Sequence, residues 1–247
     1  MKDYINHFQN ESQVVHYVDP AKALEAERQL LDQFKNLSAN FHIAWWSTTQ
    51  SLIAPRSLRR AGNIEEAAAL LSSMGWPLHF RQTGGDVTPQ GPGILNIAVA
   101  FALDPTERPS ISAVYEIFCE PLVQWLIKHG CRARTGCVPG SFCDGEYNIV
   151  VGTQKIAGTA QRWTRVRGVQ LRQVVFAHAL ILLDADIDAG VAAINNLYEI
   201  CGLDRSVNCR AHANLSDVLV KKEPQWQDCL VTSLNESYTR ELGYLTS

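Results

Sequence analysis

Residues Gly140 to Trp163 read GSFCDGEYNIVVGTQKIAGTAQRW. Two glycines bracket Cys143 and permit backbone angles that other residues resist. Tyr147-Asn148-Ile149-Val150-Val151 then alternates as a strand with one apolar face. Gly152-Thr153 turns the chain into Lys155-Ile156-Ala157-Gly158, where only small residues surround the lysine. One short strand and a turn therefore separate a thiol on a loop from an amine, so the two can converge at one end of a pocket. These are the groups that covalent acyl transfer uses: a sulfur nucleophile, and an amine to lower its pKa or stabilise an oxyanion.

Working outward, the chain has 247 residues, 46% of them hydrophobic, enough for one large α/β domain, and no linker or repeat divides it. We expect a single catalytic domain over 1–247, with residues 1–20 as an irregular N-terminal extension. The formal net charge is −3 without a long basic block, which argues against a nucleic-acid partner. No window reaches the roughly 18 apolar residues of a membrane span, and MKDYINHFQNESQ is too polar for a signal peptide. A soluble, cytoplasmic protein without a membrane partner is expected. Seven cysteines give an odd count and no C-x-x-C pair. Cys131, Cys137 and Cys143 lie six apart, wider than the usual zinc spacing, so no metal site is expected.

Pro20 opens a helix carrying Leu24, Leu31 and Phe34 on one face. FHIAWWS (41–47) and SLIAP (51–55) are strands, and Arg56, Arg59 and Arg60 form a basic patch, either a solvated loop or a site for an acidic partner. Asn63 is placed to cap the helix IEEAAALLSSMGW. PLHFR (77–81) is a strand, and the Gly/Pro-rich run 83–93 is a compact loop that lets backbone N–H groups approach a ligand. ILNIAVAFAL (94–103) is an apolar strand buried on both faces apart from Asn96. Pro121 should kink or split the helix ISAVYEIFCEPLVQWLIKHG. A long strand spans 168–184, Asp186 caps a further helix, and an amphipathic helix follows Pro224. Hairpins without a strict βαβ repeat indicate an α/β (α+β) fold, a mixed β-sheet flanked by helices. His178, on the long apolar strand, is equally a hydrogen-bonded core residue or a catalytic one. Cys201 is a weaker second nucleophile. No G-x-S-x-G or Walker-type run is present.

Arg81-Gln82-Thr83-Gly84-Gly85 through Gly91-Pro92-Gly93-Ile94-Leu95-Asn96 resembles the R-x-S/T-G-G…G-x-L-N signature of the lipoate–protein ligase and octanoyltransferase family. Gln154 to Arg162 resembles its lysine-bearing K-K-[IF]-[AS]-G-x-[AS]-Q-R element. Ala177 to Asp184 is similar to its H-G-x-L-L-x-D strand, and Asn214-Leu215-Ser216-Asp217 to a downstream S-L-S-E. The matches run in order over about residues 20 to 245. The cysteine loop 140–145 looks most like that of the octanoyl/lipoyl amidotransferase branch.

The resemblance implies the biotin/lipoate protein ligase catalytic-domain fold, related to class II synthetases. It implies Cys143 as nucleophile and Lys155 as its partner, with Arg81, Thr83, Gly84, Gly85, Asn96, Gly158 and His178 binding the acyl substrate. The implied activity is transfer of an octanoyl or lipoyl group onto a lysine of lipoyl domains, with no cofactor. The implied partners are glycine cleavage H protein and 2-oxoacid dehydrogenase acyltransferase subunits. Two alternatives stand: an ATP-dependent lipoate–protein ligase using Mg-ATP, and a non-catalytic acyl-carrier or lipoyl-domain-binding protein. Asp86, Asn148 and Ala179 depart from the family pattern, and Asn148 removes a carboxylate from the region where ligases handle the acyl-adenylate.

Overall fold

The computed structural model describes residues 14–34, 41–103, 109–167, 171–220 and 222–245. In chain order the strands are β1 (Val14–Tyr17), β2 (Phe41–Thr48), β3 (Ser51–Pro55), β4 (Leu78–Arg81) and β5 (Thr88–Gln90). They continue as β6 (Ile94–Ala102), β7 (Ala133–Gly136), β8 (Asn148–Val151), β9 (Gln154–Arg167) and β10 (Leu171–Leu182). The helices are α1 (Pro20–Gln33), α2 (Ile64–Ser73), α3 (Ile111–Lys128), α4 (Ile187–Ile200), α5 (Leu215–Val218) and α6 (Trp226–Leu245). The larger sheet runs β1-β2-β6-β10-β9-β8-β7 and the smaller β4-β3-β5. Pairing is antiparallel except between β1 and β2 and between β3 and β4.

Strand β6 shows why the sheet is central. Every one of its residues is buried, and alternate side chains serve two cores. Leu95, Ile97, Val99 and Phe101 join Trp45 against Phe118, Leu122 and Leu126 of α3 and Leu230 and Leu234 of α6. On the opposite face Ala98 and Ala100, with Ala44 of β2, pack against Leu30 and Phe34 at α1. Alanines there let the helix lie close to the sheet. The smaller sheet packs with α2 and α4 through Leu52, Ala54, Ala67, Leu71, Ile194 and Leu197. Asn96 lies on the alanine face, between these last two cores.

Several elements differ from expectation. Residues 14–17, read as irregular, form edge strand β1, paired in parallel with β2; residues 1–13 lie outside the described residues. The Gly/Pro-rich run contains β5, which pairs antiparallel with β3. Helix α3 passes through Pro121 as one element. The lost hydrogen bond is offset by Phe118, Leu122, Trp125 and Leu126, all buried around the proline. Asn63 begins α2 but does not cap it: it sits at φ 55, and its side chain donates instead to the Ile200 carbonyl, 3.1 Å away.

Gly93 joins β5 to β6 at φ +78, and its carbonyl accepts from the N–H groups of Leu183 and Asp184 at 2.8 and 3.0 Å. A Cβ there would meet the Asp184 carbonyl. Gly93→Ala should therefore cost on the order of 3 kcal/mol through combined clash and left-handed strain. A urea midpoint giving a loss below about 0.5 kcal/mol, the range of ordinary surface changes, would contradict this close approach.

Candidate active site

One row of cross-strand neighbours makes the floor. Trp46 of β2 pairs with Asn96 of β6, Asn96 with Leu180 of β10, and Leu180 with Gly158 of β9. The next row on that face is Ala44, Ala98, His178 and Ala160. A cavity of about 40 Å³ is lined by the whole first row and by His178 and Ala160 of the second, with Phe142 and Cys143 also in its wall. Asn96 is locked by reciprocal amide bonds with Gln90, at 2.8 and 3.0 Å. Glu27 of α1 enters the same cavity, where it accepts from Trp46 Nε1 at 3.1 Å and lies 3.6 Å from His178 Nδ1. His178 thus faces the cavity. A cleft of about 310 Å³ adjoins, and Leu24, Glu27 and Arg81 line both spaces.

The Cys143 loop connects β7 to β8 and is held at several points. Cys143 itself adopts φ +47, a left-handed conformation that costs a non-glycine residue about 1–3 kcal/mol and that clusters at functional sites. Phe142 beside it is buried, whereas Cys143 is half-buried and not an exposed thiol. The Phe142 N–H donates to His212 Nε2 at 3.0 Å, and the two rings stack 4.3 Å apart. Asp144 Oδ1 accepts from the N–H groups of Val138 and Gly145 and from Asn148 Nδ2, at 2.8, 2.8 and 2.7 Å. Carbonyl oxygens on the inside of the loop face Lys155.

Lys155 is completely buried at the start of β9. Its Nζ donates to the carbonyls of Phe142 and Cys143, at 2.6 and 2.9 Å, and lies 4.8 Å from the centre of the Phe142 ring. Burial lowers its pKa to about 8, against the attraction of Cys143 and Asp144. The amine folds back over Gly158, where a Cβ would lie 2.9 Å from Cε and Nζ. The expected convergence of Cys143 and Lys155 is present, but the lysine grips the cysteine's backbone carbonyl while the sulfur takes other partners.

Those partners come from the glycine-rich run. The Asp86 N–H donates to Cys143 Sγ at 3.1 Å, and Arg81 Nη2 lies 3.9 Å from it. Gly85, at φ +91, could carry no side chain: its Cβ would lie 2.6 Å from the sulfur. Arg81 is buried and donates to the carbonyls of Ile53, Gly84 and Asp86, at 3.0, 3.0 and 2.6 Å. Burial pulls its pKa below the ordinary value, and the proximity of Cys143, Glu27 and Asp86 opposes that shift. Of the sequence-predicted residues, Arg81, Gly85, Asn96, Gly158 and His178 converge on the cavity or the sulfur. Thr83 lines the adjoining cleft, and Gly84 contributes its carbonyl to Arg81. Cys201 is buried at the C-terminus of α4, among the residues packed with the smaller sheet.

Sequence reasoning missed His212, Glu27 and the role of Asp144. His212 comes from the polar segment after α4, which runs beside β9: Lys155 bridges His212 and accepts from the Ala213 N–H at 3.1 Å. No local pattern announces such a contact. Among the described residues, no three His, Cys, Asp or Glu side chains gather to hold a metal ion.

Residues 19–230 match the model of the lipoyl protein ligase A/B catalytic domain. The chain belongs to this family. An uncharacterised protein of Cupriavidus necator is 38% identical to this ligase A/B domain over 149 residues, which is 57% of the chain and 59% of that relative. An octanoyl-[GcvH]:protein N-octanoyltransferase of Kyrpidia tusciae is 35% identical over 144 residues, 57% of the chain and 49% of the relative. The matched stretches thus span about half the length of these relatives. A crystal structure of lipoate-protein ligase A bound with ATP superposes with a TM-score of 0.70 at 18% identity, covering 93% of this chain and 84% of the other. A bi-partite lipoate protein ligase from Thermoplasma acidophilum gives 0.67 at 18%, covering 93% and 82%. These likenesses establish the lipoyl ligase A/B fold.

His212 gives the site a pH signature. Burial, with Lys155 adding repulsion, lowers its pKa from 6.5 to about 4. The unfolded chain therefore binds a proton between pH 6.5 and 4 that the fold refuses, so this group erodes stability as pH falls through that window. The loss by pH 4 is on the order of 3 kcal/mol. NMR titration of the ring should find His212 neutral at pH 5.5, and protonation near 6.5 would contradict the buried, accepting Nε2.

Proposed function

We propose that this domain moves an octanoyl or lipoyl group onto a lysine of a lipoyl domain through a thioester on Cys143, without ATP. The observation that carries the reading is the setting of the sulfur. It stands on a left-handed residue in the wall of a cavity, receives the Asp86 N–H, and has Arg81 beside it. The octanoyltransferase named among the relatives supports the acyl group and makes the glycine cleavage H protein the proposed donor. A lysine on a 2-oxoacid dehydrogenase lipoyl domain is the proposed acceptor.

In the first step the thiolate attacks the carbonyl carbon of the donor's acyl-lysine amide. The C–N bond breaks, the C–S bond forms, and the leaving amine takes up a proton. In the second step the neutral amine of the acceptor lysine attacks the thioester, the thiolate leaves, and the new amide nitrogen gives up a proton. The thioester splits one difficult amide exchange into two easier acyl transfers, and with an acyl amide as donor no free carboxylate has to be activated. Lys155, with a pKa near 8, can both release and regain a proton around neutrality, and we assign it this role beside its grip on the loop. The thiol cavity has room for a few waters only. An eight-carbon chain must therefore continue past Leu24, Glu27 and Arg81 into the adjoining cleft.

Single-turnover octanoyl transfer in the absence of ATP tests the reading. Cys143→Ser should abolish thioester formation. Lys155→Ala should slow transfer by on the order of 10² to 10³. Lys155→Arg should recover little, because a planar guanidinium neither fits over Gly158 nor yields its proton. Transfer by Cys143→Ser at the wild-type rate, or a strict need for ATP and free lipoate, would overturn the proposal.

A further inference from the structure

The thiol's N–H donor belongs to the peptide between Gly85 and Asp86, and something must hold that peptide still. Two consecutive glycines precede it, the softest backbone a chain offers. Arg81 restrains the glycine pair at the Gly84 carbonyl, and beyond that bond the orientation comes from residue 86 itself, through its carbonyl and its carboxylate. The Asp86 carbonyl accepts from Arg81 at 2.6 Å, Oδ1 accepts from the Val87 N–H at 2.7 Å, and Oδ2 pairs with Arg205 Nη1 at 2.7 Å. Arg205 is in turn fixed to the end of α4. Its guanidinium lies 4.2 Å from the centre of the Tyr198 ring, and its own N–H donates to Leu203, whose N–H donates to Tyr198.

We propose that Asp86 and Arg205 form a tether that aims the Asp86 N–H at Cys143 and cancels the carboxylate's repulsion of the thiolate, making Arg205 a positioning residue. The pair is partly solvent-exposed, at 42% for Arg205 and 27% for Asp86, so it contributes little to stability. Its place beside the sulfur gives it a different value. A lone carboxylate on residue 86 would oppose the anion that its own N–H stabilises, and Arg205 removes that conflict.

The other charged groups around the sulfur leave the tether's role distinct. Arg81 on β4 and Lys155 on β9 are buried cations already bonded to carbonyls. Asp144 on the same loop is occupied by three donors, and Glu27 of α1 lies across the cavity with His178 of β10. The Tyr115 phenol is pushed up by burial, and the Tyr198 phenol by burial and by the Asp86 carboxylate near it, so Tyr198 faces the tether as a neutral group. Among the described residues, Arg205 is therefore the cation that pairs directly with the Asp86 carboxylate.

The inference deepens the acyl-transfer reading, but its test needs no acyl donor. Iodoacetamide alkylation of each cysteine in the free protein is followed by peptide mass spectrometry across pH 5 to 10. Exposed Cys137 and Cys229 serve as internal controls, and buried Cys119 reports unfolding. Arg205→Gln should move the Cys143 profile about one unit to higher pH, a roughly tenfold slower reaction on the acid side. Asp86→Asn keeps the amide geometry and removes the charge, so it should move the profile the other way or leave it in place. Arg205→Lys should restore most of the wild-type profile. Shifts in the same direction for Arg205→Gln and Asp86→Asn, or none for either, overturn the tether. If Arg205→Gln exposes Cys119, Arg205→Lys and Asp86→Asn decide, and a Lys variant as slow as Gln counts against it. A shifted profile in a protein that transfers no octanoyl group would sink the acyl reading and leave the tether standing. Transfer with unmoved profiles would do the reverse.

Discussion

A buried ammonium sits at the centre of this molecule. Lys155 has no contact with solvent, and among the described residues no carboxylate pairs with it; it is satisfied by two backbone carbonyls on the cysteine loop. Desolvating a cation is costly unless its donors are met. The loop is therefore obliged to present the Phe142 and Cys143 carbonyls inward, and the fold is obliged to leave room at Gly158 for the lysine stem. With the carbonyls turned in, the Cys143 backbone is driven to φ +47 and its sulfur toward Gly85 and Asp86. His212 closes the arrangement from the other side by accepting the Phe142 N–H, which it can do only as a neutral ring. One interior charge, bonded to the backbone carbonyl of Cys143, thus sets the direction of that residue's side chain.

This constraint separates what was legible in the sequence from what was not. The strands and helices with long periodic patterns, β2, β6, β10 and α4, read directly, because their burial pattern is written in consecutive residues. The meeting of the Cys143 loop with Lys155 was legible too, since a short strand and a turn leave few other arrangements, but the amine bonds the backbone carbonyl and not the thiol. The burial of Lys155 was not readable: a lysine among small residues looks exposed until β9 is flanked by the segment around His212. Strand β5 was hidden by the glycines and prolines around it, whose local turn signal outweighed three residues of long-range pairing. Pro121 misled for the complementary reason, because tertiary packing on both sides of α3 overrode a local breaker.

The cavity floor follows from sheet register. Trp46, Asn96, Leu180 and Gly158 are far apart in sequence yet form one row across four strands. A one-residue slip in any pairing would send those side chains to the α3 side. The clusters on either face, alanines against α1 and large aliphatics against α3 and α6, make such a slip prohibitive. The same packing that stabilises the domain therefore fixes the shape of the site.

The departure at Asn148 has a local cause. Asn148 is buried and donates to Asp144, whose one oxygen also takes two backbone N–H groups. An aspartate at 148 would set a second carboxylate against the first at hydrogen-bond distance, in a site where both cannot ionise. The carboxylate at this point of the structure is Asp144, on the loop, one residue after the cysteine. From that position it cross-links Val138, Gly145 and Asn148, and so ties both ends of the loop to the base of β8. The loop's left-handed turn at Cys143 is then held from below by Asp144 and from within by Lys155. Because these two restraints act on neighbouring residues from opposite sides, neither can relax without the other giving way.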